Sequence, residues 1–404
     1  MDWAHRRFVP SSLDAVENTE EYRPGGFHPI AIGDCYANGR YRVLHKLGHG
    51  GSSTVWLARD YQQNHPHGRL VALKAMRADD SSAAVDKIPE LVISDALRRI
   101  ASPFDFQIVD YHFLVQGPNG CHRFLACPLA GPSVHTIALC EGRPAGSRRL
   151  RGDLARKVAK QTALAIWCMH LSGIVHGDLT ASNILFRVAA PVVDWTDEEF
   201  EPHAPAKIIE PANLARLADL SLLQERILLI DFGQSYMISH PPKNYEPATT
   251  IHYKPPEMRF EGRAGPEADV WALACAIFEI RVGYPLFDPF FPTTTSILRQ
   301  TVATLGRLPD PWWQAFEERT VWFEDDGQPK NPDSQISIAD LLRSIGTDDV
   351  PSSVDEGPMI EKCGVRLSNE EVELLVDLSG RMLRYRPEER ATMKEVVEHR
   401  WFRL

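Results

Sequence analysis

The sequence has no C-x-x-C pair among its seven cysteines. An odd number without paired spacing excludes a disulfide framework and a zinc ribbon, and points to a reducing compartment. Long apolar runs are missing too. The longest in the second half, residues 270–280, is interrupted by Glu279 and is far too short to cross a bilayer. The first residues, Met1-Asp2-Trp3-Ala4-His5-Arg6-Arg7, lack the apolar core of a secretory leader. An intracellular protein without membrane contact is expected, in cytoplasm or nucleus; no Lys/Arg cluster marks nuclear import. A basic excess is absent as well. The net charge is −10, which disfavours direct nucleic-acid binding and is compatible with a basic protein partner. No internal repeat is visible.

What is present suits a globular chain. With 404 residues, 44% hydrophobic and 24% charged, it can bury a sizeable core. Residues 1–34 are polar and carry Pro10, Pro24, Gly25, Gly26 and Pro29, which reads as an extended lead-in. Strand patterns follow at 41–47, 53–58 and 70–76. Helical spacing appears over 89–100, with Pro89 near its start, and two more strands are expected at 108–115 and 123–127. After Gly131 the pattern is helical, at 154–171, 270–280, 370–383 and 392–399. Strands first and helices after predict an α+β chain in two lobes, 35–128 and 129–404. Two acidic, loop-rich stretches look inserted, at 188–225 and 310–358.

Four motifs carry chemistry. Between the first two strands lies Gly48-His49-Gly50-Gly51-Ser52-Ser53-Thr54-Val55. Bare backbone there can close over triphosphate oxygens, although a hairpin turn explains an isolated glycine loop equally well. Lys74, in Val71-Ala72-Leu73-Lys74, needs a counter-charge if its strand is interior. Glu90, sixteen residues on, is the candidate, and Asp95 shares its helix. The third motif is His176-Gly177-Asp178-Leu179-Thr180-Ala181-Ser182-Asn183. A carboxylate there can accept a hydroxyl proton, and an amide oxygen five residues later can hold Mg²⁺. The fourth, Ile227-Leu228-Leu229-Ile230-Asp231-Phe232-Gly233, delivers one carboxylate from an apolar strand. Asp269 is expected to cap the buried helix and order the 176–183 loop. Glu257 has a candidate partner in Arg390, with an exposed pair of little worth as the bland alternative.

In this order the motifs resemble the eukaryotic protein kinase signature set over residues 41–404. The resemblance implies a two-lobed kinase fold, ATP and Mg²⁺ as cofactors, and γ-phosphoryl transfer to a protein hydroxyl. On it, Leu47, Gly48, Gly50, Val55 and Ala72 border ATP, and Lys74 with Glu90 forms the strand–helix ion pair. Asp178 is the catalytic base, and Asn183 and Asp231 are the Mg²⁺ ligands. Cys127 takes the gatekeeper position, with Pro128 and Leu129 as hinge; Pro128 has only its carbonyl to offer adenine. Pro256-Glu257 ends the activation segment, and Thr250 favours Ser and Thr acceptors.

A narrower likeness is to the SR protein kinases. It rests on 25–34 followed by Asn38-Gly39-Arg40-Tyr41, on Ser53-Thr54-Val55-Trp56-Leu57, and on Pro285-Leu286-Phe287-Asp288-Pro289. It implies Arg/Ser-rich protein substrates. Two positions depart from the kinase pattern. Gly177 stands where an Arg usually meets a loop phosphate, so activity without such phosphorylation is expected. Thr180 stands where a Lys usually neutralises the transferring group, which would slow transfer. A pseudokinase scaffold and a small-molecule kinase are the competing readings. The retained Asp178, Asn183, Asp231 and Lys74 argue against the first. The peptide-binding features at 255–257 and 269–271 argue against the second.

Overall fold

A computed structural model describes residues 16–62, 67–81, 83–100, 106–140, 143–200, 220–242, 249–353 and 356–404. In chain order come strands β1 (Cys35–Tyr36), β2 (Tyr41–His49), β3 (Ser53–Asp60) and β4 (Arg69–Met76). Helices α1 (Ala78–Ser81) and α2 (Pro89–Leu97) precede β5 (Tyr111–Gly117) and β6 (Gly120–Pro128). Next are α3 (Val134–Ala138), α4 (Gly152–Leu171), β7 (Ile174–Val175), β8 (Ile184–Val188), α5 (Asp197–Phe200), β9 (Leu223–Leu229) and β10 (Tyr236–Met237). The rest is helical: α6 (Pro256–Phe260), α7 (Pro266–Val282), α8 (Thr294–Leu305), α9 (Trp312–Ala315), α10 (Arg319–Trp322), α11 (Ile338–Ser344), α12 (Asn369–Met382) and α13 (Met393–Val397). The chain divides into two compact units. One comprises 1–98, 107–131 and 187–224, the other 99–106, 132–186 and 225–404.

The first unit is built on a six-stranded antiparallel sheet in the order β1-β2-β3-β4-β6-β5. Alternation along β4 sends Val71, Leu73 and Ala75 to one core, with Tyr41, Ala58, Phe124 and Ala126. Its other face sends Ala72 and Met76 to a second core with Ile88 and Leu91, and Leu91 belongs to α2. Helix α2 starts with Pro89 in its first turn, where a missing N–H costs nothing, and ends at Leu97, three residues before the expected stop. The described part of the lead-in includes a 3₁₀ turn, Thr19–Glu21. Asp197 ties the start of the 188–225 stretch to the sheet by accepting from Arg59 at 2.9 Å and from Arg42. Residues 201–219 of that stretch lie outside the described part.

The second unit centres on α7, whose residues from Ala268 to Val282 are buried on every side. Pro266 opens it and Gly283, at φ +89, closes it; a Cβ at Gly283 would sit 2.6 Å from the Arg148 carbonyl. Helix α4 ends before Gly173, at φ +72. The 310–358 stretch is less loop-like than its composition suggests, since it folds α9, α10 and α11. Trp312, Trp313, Phe316 and Phe323 from this stretch pack with Leu298, Val302 and Leu308 in one buried cluster.

Candidate active site

The glycine loop joins β2 to β3, closed by Gly50 N–H donating to the Ser53 carbonyl at 2.8 Å. A Cβ on Gly48, Gly50 or Gly51 would meet nothing within 4 Å, and none of the three adopts a positive φ. The protein's own packing therefore gives no reason for glycine here. A ligand approaching the backbone closely supplies one. Leu47 beside the loop is half exposed, whereas Ala72 on β4 is buried.

Lys74 sits on β4 between Val55 of β3 and Leu125 of β6. Its Nζ lies 3.2 Å from Glu90 Oε1, and both side chains are largely buried. Asp95, the other acid of α2, is exposed and pairs with Arg98 at 2.6 Å. Glu90 is in the first turn of α2, where the helix dipole favours a carboxylate. Burial pushes the Cys127 thiol up to about 12, so it stays protonated. The Pro128 carbonyl already accepts from Gln107 Nε2 at 2.7 Å. Its second lone pair remains for another donor.

In the second unit the 176–183 loop is held by backbone donors. Asp269 accepts from His176 N–H at 2.8 Å, Gly177 N–H at 2.9 Å and His170 Nε2 at 2.9 Å. Burial alone would raise its pKa, but the His170 bond and nearby imidazoles outweigh that and leave it below the ordinary carboxylate value. Asp269 lies inside the first turns of α7, whose cap residue is Gly265, so the expected capping role is not what it does. It orders the loop instead. Burial lowers the pKa of His176 and keeps it neutral. Its Nδ1 accepts from Asp178 N–H at 3.2 Å, which leaves Nε2–H to donate to the Ile230 carbonyl at 3.2 Å.

Asn183 Nδ2 donates to the Asp178 carbonyl at 2.8 Å and to Asp178 Oδ2 at 3.3 Å. With the nitrogen so committed, the amide oxygen is the atom left for a cation. The Asn183 carbonyl accepts from Ile230 N–H at 3.0 Å, which joins the loop to the residue before Asp231. Asp231 is one of three described non-glycine residues at positive φ, with φ 63 and ψ 76. Strain of that kind, about 1–3 kcal/mol, persists where surroundings over-determine it, often at functional sites. Phe232 anchors the turn against His176 and Phe106, at ring distances of 5.6 and 6.3 Å.

Several partners escaped sequence reasoning. Thr249 Oγ1 donates to the Gly177 carbonyl at 2.6 Å, and Ser235 Oγ to the His176 carbonyl at 2.7 Å. Tyr253 accepts from Ala181 N–H at 3.1 Å and donates to Glu279. The one available signal was Glu279 itself, an acid in an apolar run that needs a partner once buried. The Glu257–Arg390 pair is not the exposed one that was the bland alternative. It is bidentate, at 2.6 and 2.7 Å, and buried.

The protein kinase domain family matches residues 41–402. The serine/threonine-protein kinase SRPK of Physarum polycephalum is 26% identical over 95% of this chain and 90% of its own length. Serine/threonine-protein kinase spk-1 of Caenorhabditis elegans is 34% identical over 44% of this chain and 17% of its own. SRSF protein kinase 3 of Homo sapiens is 28% identical over 51% of this chain and 38% of its own. The slime-mould relative is thus spanned almost whole, and the other two only in part. With the family match running from β2 almost to the last residue, the chain belongs to the protein kinase family, and it is similar to kinases of the SR protein kinase type.

Proposed function

We propose that the protein transfers the γ-phosphoryl group of ATP to serine or threonine hydroxyls of protein substrates, with basic Arg/Ser-rich segments as the substrate class. The observation that carries this reading is the bonded set of Asp178, Asn183 and the Ile230–Asp231 step. Asp178 is the base that accepts the substrate hydroxyl proton. Asn183 and Asp231 offer an amide oxygen and a carboxylate, a donor set that suits a hard cation such as Mg²⁺. When bound, Mg²⁺ neutralises charge that develops on the phosphates. Lys74, held by Glu90, supplies fixed positive charge for the same nucleotide, and Gly48, Gly50, Val55, Ala72, Pro128 and Leu129 enclose it.

The reading assigns residues 35–128 to a β-rich lobe and 129–404 to a helical lobe, the two-lobed form of the fold. It places the protein inside the cell, and no described helix is long and apolar enough to cross a membrane. Gly177 carries no side chain to meet a loop phosphate. Neutral bonds from Thr249 and Tyr253 hold the loop in its stead. Activity therefore needs no activation-loop phosphorylation, and phosphatase treatment of the purified protein should leave the rate within about twofold. Thr180 is buried and cannot supply the missing loop cation, so the charge of transfer falls to Lys74 and Mg²⁺.

The test offers labelled ATP and Mg²⁺ with an Arg/Ser-repeat peptide, a generic basic protein or an aminoglycoside, beside Asp178→Ala. Strong labelling of the repeat peptide by the native protein alone is expected. Equal labelling of any acceptor by the variant would overturn the reading.

A further inference from the structure

The described part of the lead-in does more than precede the sheet. Glu17 forms an ion pair with Lys46 of β2, and Tyr22 donates to the same carboxylate. Four residues on, Glu21 accepts from Arg77 Nη2 at 2.7 Å. Arg77 follows directly on β4 and also lies over the Phe27 ring at 5.3 Å. Phe27 is 3% exposed. The same arginine reaches the glycine loop. Its backbone N–H donates to the Ser52 carbonyl at 2.9 Å, and its Nη1 to the Gly51 carbonyl at 3.4 Å. One residue thus joins the loop to the lead-in.

The lead-in is itself pinned. Gly25 N–H donates to the Asn119 carbonyl at 2.9 Å, and Asn119 Nδ2 to the Phe27 carbonyl at 2.7 Å. Ala78 and Asp79 N–H donate to the Gly26 and Gly25 carbonyls at 3.0 and 2.9 Å. The turn that presents Glu21 tolerates no side chain at Gly26, where a Cβ would fall 1.8 Å from the Glu21 carbonyl oxygen. Arg23 is a second cation beside Glu21, at 3.4 Å and half exposed.

We infer that residues 16–34 form a strap that positions the nucleotide-covering loop, with Arg77 as the positioning residue and Glu21 as its anchor. A glycine-rich loop has unusual backbone freedom, and only its ordered fraction binds ligand at full affinity. The strap grips the sheet on both sides of that loop, through Lys46 before it and Arg77 after it. A charge-assisted bond to Glu21 fixes the guanidinium that holds the Gly51 carbonyl. The inference rests on the kinase reading for its consequence, but not for its geometry.

The test uses the full chain with Glu21→Ala, and Glu21→Gln as the milder variant should the first fail to fold. Amide exchange across residues 48–55 should quicken at least about threefold. The KM for ATP should rise by a similar factor with kcat within about twofold, and Glu21→Asp should restore most of it. Unchanged loop exchange in the variants would overturn the strap. So would a fall in kcat and melting temperature with no selective change in the KM for ATP. If the native protein transfers no phosphate at all, the kinase reading fails, and the exchange measurement still judges the strap.

Discussion

Asp269 carries no reacting group, yet three donors converge on it from the loop and from α4. Asp269→Ala would leave two buried N–H groups without acceptors. It should cost about 3 kcal/mol of stability, read by denaturant unfolding. The same change lets Asp178 drift, and kcat should fall on the order of 100-fold in the peptide assay. His135 offers a pH test. The hydrogen bond to buried Glu279 raises its pKa against the opposing effect of burial, and Asp288 adds a smaller pull. A raised folded pKa gives stability that is full below the unfolded value, near pH 6.5, and is lost as pH rises through the folded value. The gap in melting temperature between the native protein and His135→Gln should therefore be widest near pH 6 and should narrow above it. At this scale the sequence was legible where the motifs supply both partners, even far apart, as with Glu257 and Arg390. The pairing of Lys74 with Glu90 and that of Asp178 with Asn183 follow from the order of the motifs, not from strand or helix periods. Tyr253 and Glu279 meet across 26 residues and two helices, and no local pattern announces such a meeting.

At the level of elements, apolar periodicity located most long strands and helices but missed the twelve-residue α8, and the other errors collected at the ends. Helix α2 stops early, and β5 begins pairing at Tyr111, beyond the expected 108. Short pieces were invisible for a physical reason. Helices α9 and α10 span four residues each, too few for a 3.6-residue period to repeat. The order of α9 comes from burial of its own Trp312 and Trp313, and that of α10 from burial of Phe316 and Phe323 on either side of it. The junction of α6 and α7 with the chain end hangs on Glu257 and Arg390. Arg390 also donates to the carbonyls of Glu267, Arg384 and Tyr385. Arg390→Met strands a buried carboxylate and should cost about 3–5 kcal/mol, seen as a large fall in denaturation midpoint.

For the molecule as a whole, composition had marked 310–358 as an insertion, but its charges are wired into the second unit. Arg149 bridges Asp349 of the stretch to Glu361 just beyond it, and Arg281 carries that link on from Glu361 to Glu371. Arg143 and Arg148 share Glu356. Both Arg149 and Arg281 are almost fully buried. Deleting 310–358 should therefore yield insoluble or unfolded protein, whereas a detachable loop would leave circular dichroism and melting temperature intact. The strap has a practical corollary. The family match begins at residue 41, yet Glu17, Glu21 and Phe27 complete ion pairs and packing with Lys46 and Arg77 further along. A fragment cut at the family boundary would keep every signature motif and still lack part of its first unit. Where homology says the domain starts and where the folding unit starts are, in this chain, two different places.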